Sequence, residues 1–192
     1  MATEQITQTQ VDLIIVTAII TTGIGLCANI LFEWYKRQNL KTITRKHIAT
    51  SLIADLEAKN DLINSRLYDF KNFETNDLEN YSFVYFPIRS NYFSVFESIT
   101  DKLGYIDDDI LKKNIITTYT EIKGLFDSVQ ALEDISNQAH QLLKTPDNEK
   151  YLLLLATNHR FYANKILTKM LPNVIGKMNA LENDLKKYLK NL

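Results

Sequence analysis

The chain has 192 residues, 45% of them hydrophobic and 10% aromatic, with a formal net charge of -1. That composition excludes a disordered chain, and the near-zero charge excludes a global field that recruits nucleic acid. Five glycines and three prolines are too few for an all-β fold of tight turns, and the single Cys27 excludes an internal disulfide and a cysteine metal cluster.

After a short tail, residues 1–10, the first predicted element covers residues 11–32, VDLIIVTAIITTGIGLCANILF. No charged side chain occurs from Leu13 to Phe32. At 1.5 Å rise per residue this helix measures about 33 Å, against a hydrocarbon core of about 30 Å. Twelve of its residues are Val, Leu, Ile or Phe, each favouring insertion by roughly 0.3–0.6 kcal/mol near a helix centre. Thr17, Thr21, Thr22 and Asn29 reduce that sum, although a Thr hydroxyl can return to a carbonyl one turn earlier. A cleaved export signal requires basic residues ahead of the apolar region, and ATEQITQTQ has none. GIGLC is a poor lipoprotein cleavage box, because Leu26 stands where a small residue belongs. A soluble helix of this length would carry a polar face, which is missing. The remaining reading is a single membrane span in contact with a lipid bilayer.

The flanks give the orientation. Glu4 and Asp12 precede the span; Lys36, Arg37, Lys41, Arg45 and Lys46 follow it, opposed only by Glu33. Basic residues stay on the cytoplasmic side, which puts the amino terminus outside and residues 33–192 inside, at an inner membrane. Trp34 and Tyr35 stand where an interfacial aromatic belt belongs. The basic residues serve as a topology signal and, on one helical face, Arg37, Lys41 and Arg45 can also meet anionic lipid. Thr17, Thr21 and Gly25, spaced by four, form a candidate contact face for a second span and hence for a homo-oligomer.

Beyond the span, Ile48, Leu52, Leu56, Ile63, Leu67 and Phe70 mark one apolar helical face. No Gly or Pro separates it from the span, so the two are expected to join in one long helix. Residues 74–91 break the pattern. YSFVYF is rich in β-formers, but no second strand is visible to pair with it, and an ordered connector is expected. Asn91 is expected to cap a helix carrying Phe93, Phe96, Ile99 and Leu103, closed by Gly104. The next helix carries the most regular stripe of the chain: Leu111, Ile115, Tyr119, Ile122, Phe126, Val129 and Leu132. Gly124 within it implies a closely packed neighbour. KTPDNEK, residues 144–150, is a predicted loop. The run Leu152–Leu155 reads as a helix buried on most sides, Pro172 as a break or a new first turn, and Val174, Met178, Leu181, Leu185, Tyr188 and Leu192 as a last amphipathic helix. The fold class is therefore all-α: one amino-terminal transmembrane helix followed by an antiparallel helical bundle. Its expected core includes Leu56, Leu67, Phe96, Ile115, Ile122, Phe126, Leu155 and Leu181.

Little in the sequence carries chemistry. Asp107, Asp108 and Asp109 read as a helix cap with acidic residues in the first turn rather than as a magnesium site. His47, His140 and His159 are isolated from any metal-binding spacing. No G-x-S-x-G elbow, dinucleotide fingerprint or Walker loop occurs. The expectation is no enzyme, no catalytic or metal residue, no cofactor and no nucleic-acid partner.

The segment PIRSNYFSVFESITDKLGYIDDDILKKNIITTYTEIKGL, together with the span and its basic flank, resembles a loose class of uncharacterised bacterial single-span proteins with a small cytosolic helical domain. The resemblance implies a membrane-anchored, non-enzymatic module that positions itself or a protein partner at the cytoplasmic face. The alternative it implies is a membrane-acting effector, defence- or toxin-like, that works through oligomerisation of its span. It supplies no functional residues.

Overall fold

In the computed structural model the described residues are 8–71, 92–142 and 148–192. Every regular element among them is helical: α1 (Gln8–Lys71), α2 (Ser94–Thr100), a 3-10 turn (Leu103–Tyr105), α3 (Asp109–Leu142), α4 (Glu149–Lys165), a π-helical segment (Ile166–Met170) and α5 (Leu171–Lys190). The connector expected over residues 74–91 and the cap at Asn91 lie outside the described residues.

The chain divides into two units, Met1–Thr44 and Arg45–Leu192. α1 is one uninterrupted helix, as the absence of Gly and Pro after the apolar run requires. In the first unit every described side chain from Thr17 to Lys41 is exposed. Among the described residues α1, over Thr17–Ser65, is the only helix long and apolar enough to cross a membrane, and nothing in its apolar window is buried.

The second unit is built around α3. Its stripe Leu111, Ile115, Tyr119, Ile122, Phe126, Val129 and Leu132 is buried, each residue 4% exposed or less. From α1 come Ile48, Leu52, Leu56 and Ile63; from α5 come Val174, Met178, Leu181 and Leu185, all in the same core. Spacings of three and four residues turn each set onto one side of its helix. The expected core residues Leu56, Ile115, Ile122, Phe126, Leu155 and Leu181 are buried, and Phe96 packs half-buried against them. The side chain of Leu67 lies outside those described.

α3 packs against both α4 and α5. Polar contacts give the register. Arg45 of α1 ion-pairs with Asp107 just before α3, and farther on Asp55 meets Tyr119. Glu121 of α3 meets Asn173 and Lys177 of α5, whereas Tyr188, late in α5, lies beside Asp107. Contacts thus advance in the same sense along α1 and α3, and in opposite senses along α3 and α5.

Asp108 begins α3: its Oδ1 accepts from the backbone N–H of Ile110 at 2.9 Å and of Leu111 at 3.0 Å. Two donors that the first turn leaves unpaired are thereby satisfied.

Four local expectations need correction. Gly104 does not close α2, which ends at Thr100; it sits inside the following 3-10 turn. Gly124 admits no close neighbour, for a Cβ built there meets nothing within 4 Å. The loop over residues 144–150 is shorter than expected at its end, because Glu149 and Lys150 already belong to α4. The run Leu152–Leu155 is not buried on most sides: Leu155 is buried, but Leu153 is 52% and Leu154 54% exposed. Pro172 stands in the first turn of α5, the new first turn that the sequence suggests. Proline cannot donate to the carbonyl four residues back, and the wider π turn over Ile166–Met170 carries the helix past that gap.

Candidate functional site

The residues singled out from the sequence fall in two groups along α1. In the first unit, Thr17 Oγ1 donates to the Leu13 carbonyl at 2.8 Å and Thr21 Oγ1 to the Thr17 carbonyl at 2.8 Å. Both hydroxyls are satisfied by carbonyls of their own helix. Gly25, on the same face, has open space around it. Trp34 and Tyr35 are 60% and 62% exposed, and Lys36, Arg37 and Lys41 are exposed beside them.

Arg45 and Lys46 belong to the second unit. Lys46 is exposed. Arg45 turns inward: its Nε donates to the Tyr105 carbonyl at 2.7 Å and its guanidinium pairs with Asp107. Its side chain is only 18% exposed, so it closes the turn before α3. Each acid of the triple-Asp run has its own role: Asp107 holds Arg45, Asp108 caps α3, and Asp109 pairs with Lys112 at 2.5 Å. That last contact, a hydrogen bond and a Coulomb attraction, holds the Asp109 pKa below its usual value. No group of three metal-ligating side chains occurs among the described residues.

The most concentrated polar chemistry lies where sequence reading did not place it. Lys59, 3% exposed, occupies the buried face of α1 one turn after Leu56. Its Nζ donates to Asp55 Oδ1 at 2.5 Å, and Tyr119 Oη of α3 donates to Asp55 Oδ2 at 2.6 Å. The ammonium also stands 5.4 Å from the Phe93 ring centroid and 5.5 Å from that of Tyr119. Phe96 stacks on Tyr119 at 4.2 Å. One carboxylate thus accepts from an ammonium and a phenol, while two rings cover the cation. Burial, then the bond to Asp55, pushes the Tyr119 pKa far up, so its proton stays in place. The cluster ties α1, α2 and α3 together through groups that satisfy one another. The signal was present in the sequence: Asp55 and Lys59 are an i,i+4 pair, and Lys59 continues the spacing of Leu52, Leu56 and Ile63.

His159 of α4 is completely buried, and burial lowers its pKa to about 4. Tyr188 lies beside Arg45 and Asp107, and burial is the main cause that raises its pKa. His47 is exposed.

No family model, curated protein or solved structure matches the chain.

Proposed function

We propose that the chain is a membrane-anchored, non-enzymatic helical module. Residues 11–32 cross the bilayer, residues 1–10 lie outside, and residues 33–192 stand at the cytoplasmic face, where they position the domain or a protein partner. In the second unit the helices form a bundle: α1 and α3 run side by side in the same direction, and α5 runs against them.

The observation that carries this reading is the exposed surface of α1. Leu13, Ile15, Ile19, Ile20, Ile24, Leu26, Ile30, Leu31 and Phe32 are each between 51% and 68% exposed. They point to all sides of the helix, since their positions cover the full turn at 100° per residue. Leaving them in water costs on the order of 15 kcal/mol or more relative to burial, which exceeds the whole stability of many domains. A hydrocarbon core removes that cost. The direction follows from Lys36, Arg37 and Lys41 after the span against Glu4 and Asp12 before it.

Fractionation tests the reading. The full chain should stay with membranes through an alkaline carbonate wash. The pair Ile20→Lys and Ile24→Lys adds about 3 kcal/mol per substitution to the insertion free energy and should release it. Wild-type protein in the carbonate supernatant would contradict the anchor.

A second reading, an effector acting through span oligomerisation, is favoured by one observation. Around Gly25 the helix surface is open, and Thr17 and Thr21 keep their hydroxyls on their own backbone. Such a smooth face suits close approach of a second span. Membrane potential in expressing cells separates the two: an effector collapses it and an anchor leaves it unchanged.

A further inference from the structure

α4 carries two different apolar stripes. One holds Leu155, Ala156, His159 and Ala163 and is buried. The other holds Tyr151, Leu154, Phe161 and Tyr162, exposed to 62%, 54%, 66% and 48%. These four fall within an arc of about 100°, with the exposed Asn158 near its middle. Phe161 and Tyr162 meet edge to face at 5.6 Å. Lys150 borders the arc, Lys165 lies within it, and Lys169 follows in the π segment, all exposed. Among the described residues no carboxylate pairs with these lysines. From Glu149 to Met170 the sole acid is Glu149 itself, in a chain whose net charge is -1. The positive charge is therefore local to this face.

We propose that this face of α4 docks onto an anionic membrane surface. The rings and Leu154 enter the headgroup boundary, and the lysines reach lipid phosphates. Two features select that occupant. A two-fold pairing of α4 with a second copy would bring lysines against lysines with no acid to neutralise them, so the charge calls for an anionic partner. Tyr and Phe flanked by Lys match the interfacial zone, where rings keep their polar edge wet and lysines extend their stems over apolar surface. Each lysine near an anionic leaflet strengthens docking about fivefold.

The test uses the full chain carrying Cys27→Ser and Asn158→Cys, labelled at position 158 with an environment-sensitive fluorophore. It is mixed with vesicles of phosphatidylcholine, with or without phosphatidylglycerol. Flotation on phosphatidylcholine alone reports the span. Among floated protein, docking predicts emission shifted to the blue when phosphatidylglycerol is present. The ratio of docked to undocked protein should fall about fivefold for each of Lys150→Gln and Lys165→Gln, with flotation unchanged. If the chain does not float on phosphatidylcholine, the span reading fails, while a blue shift with anionic vesicles still supports docking. A label unshifted on anionic vesicles overturns the proposal and leaves the face to an acidic protein. A blue shift in lipid-free micelles that grows with protein concentration overturns it in favour of a second copy.

Discussion

Replacing Lys59 by Met removes one member of the buried cluster and strands another. The side chains of Lys59 and Asp55 are 4% and 9% exposed, so water screens neither. Without the ammonium, Asp55 keeps only the 2.6 Å bond from Tyr119. Breaking a buried pair on one side costs about 3–5 kcal/mol, because the remaining charge stays desolvated. At about 2–4 °C per kcal/mol for a chain of this size, the melting temperature should fall by roughly 6–20 °C. Tyr119→Phe takes a single bond from the carboxylate and should cost about 1.5–3 kcal/mol. The triple change Asp55→Leu, Lys59→Met and Tyr119→Phe removes every polar member, and should regain most of the loss of Lys59→Met alone. Melting in a non-ionic detergent, followed by circular dichroism, reads all three. If Lys59→Met lies within about 0.5 kcal/mol of wild type, or if the triple variant is worse than the sum of its parts, the cluster is not the buried network described.

Truncating Ile122 or Phe126 to Ala, at 0% and 4% exposure, should cost about 2–5 kcal/mol in the same melts. Gly124→Ala should stabilise by up to about 1 kcal/mol, because the added methyl meets nothing within 4 Å; a destabilised variant would show a neighbour there. His159 makes stability depend on pH. Burial holds its pKa near 4 in the fold against 6.5 ordinarily, so above pH 6.5 the stability is complete. As pH falls from 6.5 to 4 the unfolded chain takes up a proton that the fold refuses, and stability drops by on the order of 3 kcal/mol. His159→Leu should flatten that part of the pH profile. Gly25→Leu should leave the protein in carbonate-washed membranes, since Leu favours hydrocarbon; its loss from them would show that the span needs a partner to stay inserted.

Much of the helical framework was legible because periodicity is a strong signal where it is long. The α3 stripe repeats over more than twenty positions, and the apolar stretch of α1 contains no charge from Leu13 to Phe32. The misreadings share a cause: local pattern reports which residues are apolar, not which neighbours cover them. Leu152–Leu155 suggested burial on most sides, yet α4 has one covered face. Arg45 continued a basic run with Lys36, Arg37 and Lys41, yet Tyr105 and Asp107, distant in sequence, draw it inward. Lys59 is hard to read because a charged residue inside an apolar stripe looks like an interruption. Its acceptor lies one turn away, but the rings that cover it are Phe93, just ahead of α2, and Tyr119 of α3. The π segment before Pro172 left no mark beyond the proline itself.

The central claim is that one span near the amino terminus anchors a cytoplasmic domain. Its most direct test is a pair of fusions at Leu192, expressed in a bacterial host. One reporter is active only in the cytoplasm and the other only in the periplasm. The account predicts an active cytoplasmic reporter and a silent periplasmic one, both in the membrane fraction. Replacing Lys36, Arg37 and Lys41 by Gln should weaken that preference, because those residues hold the flank inside. An active periplasmic reporter at Leu192 in the wild-type chain would contradict the orientation, and an active cytoplasmic reporter in the soluble fraction would contradict the anchor.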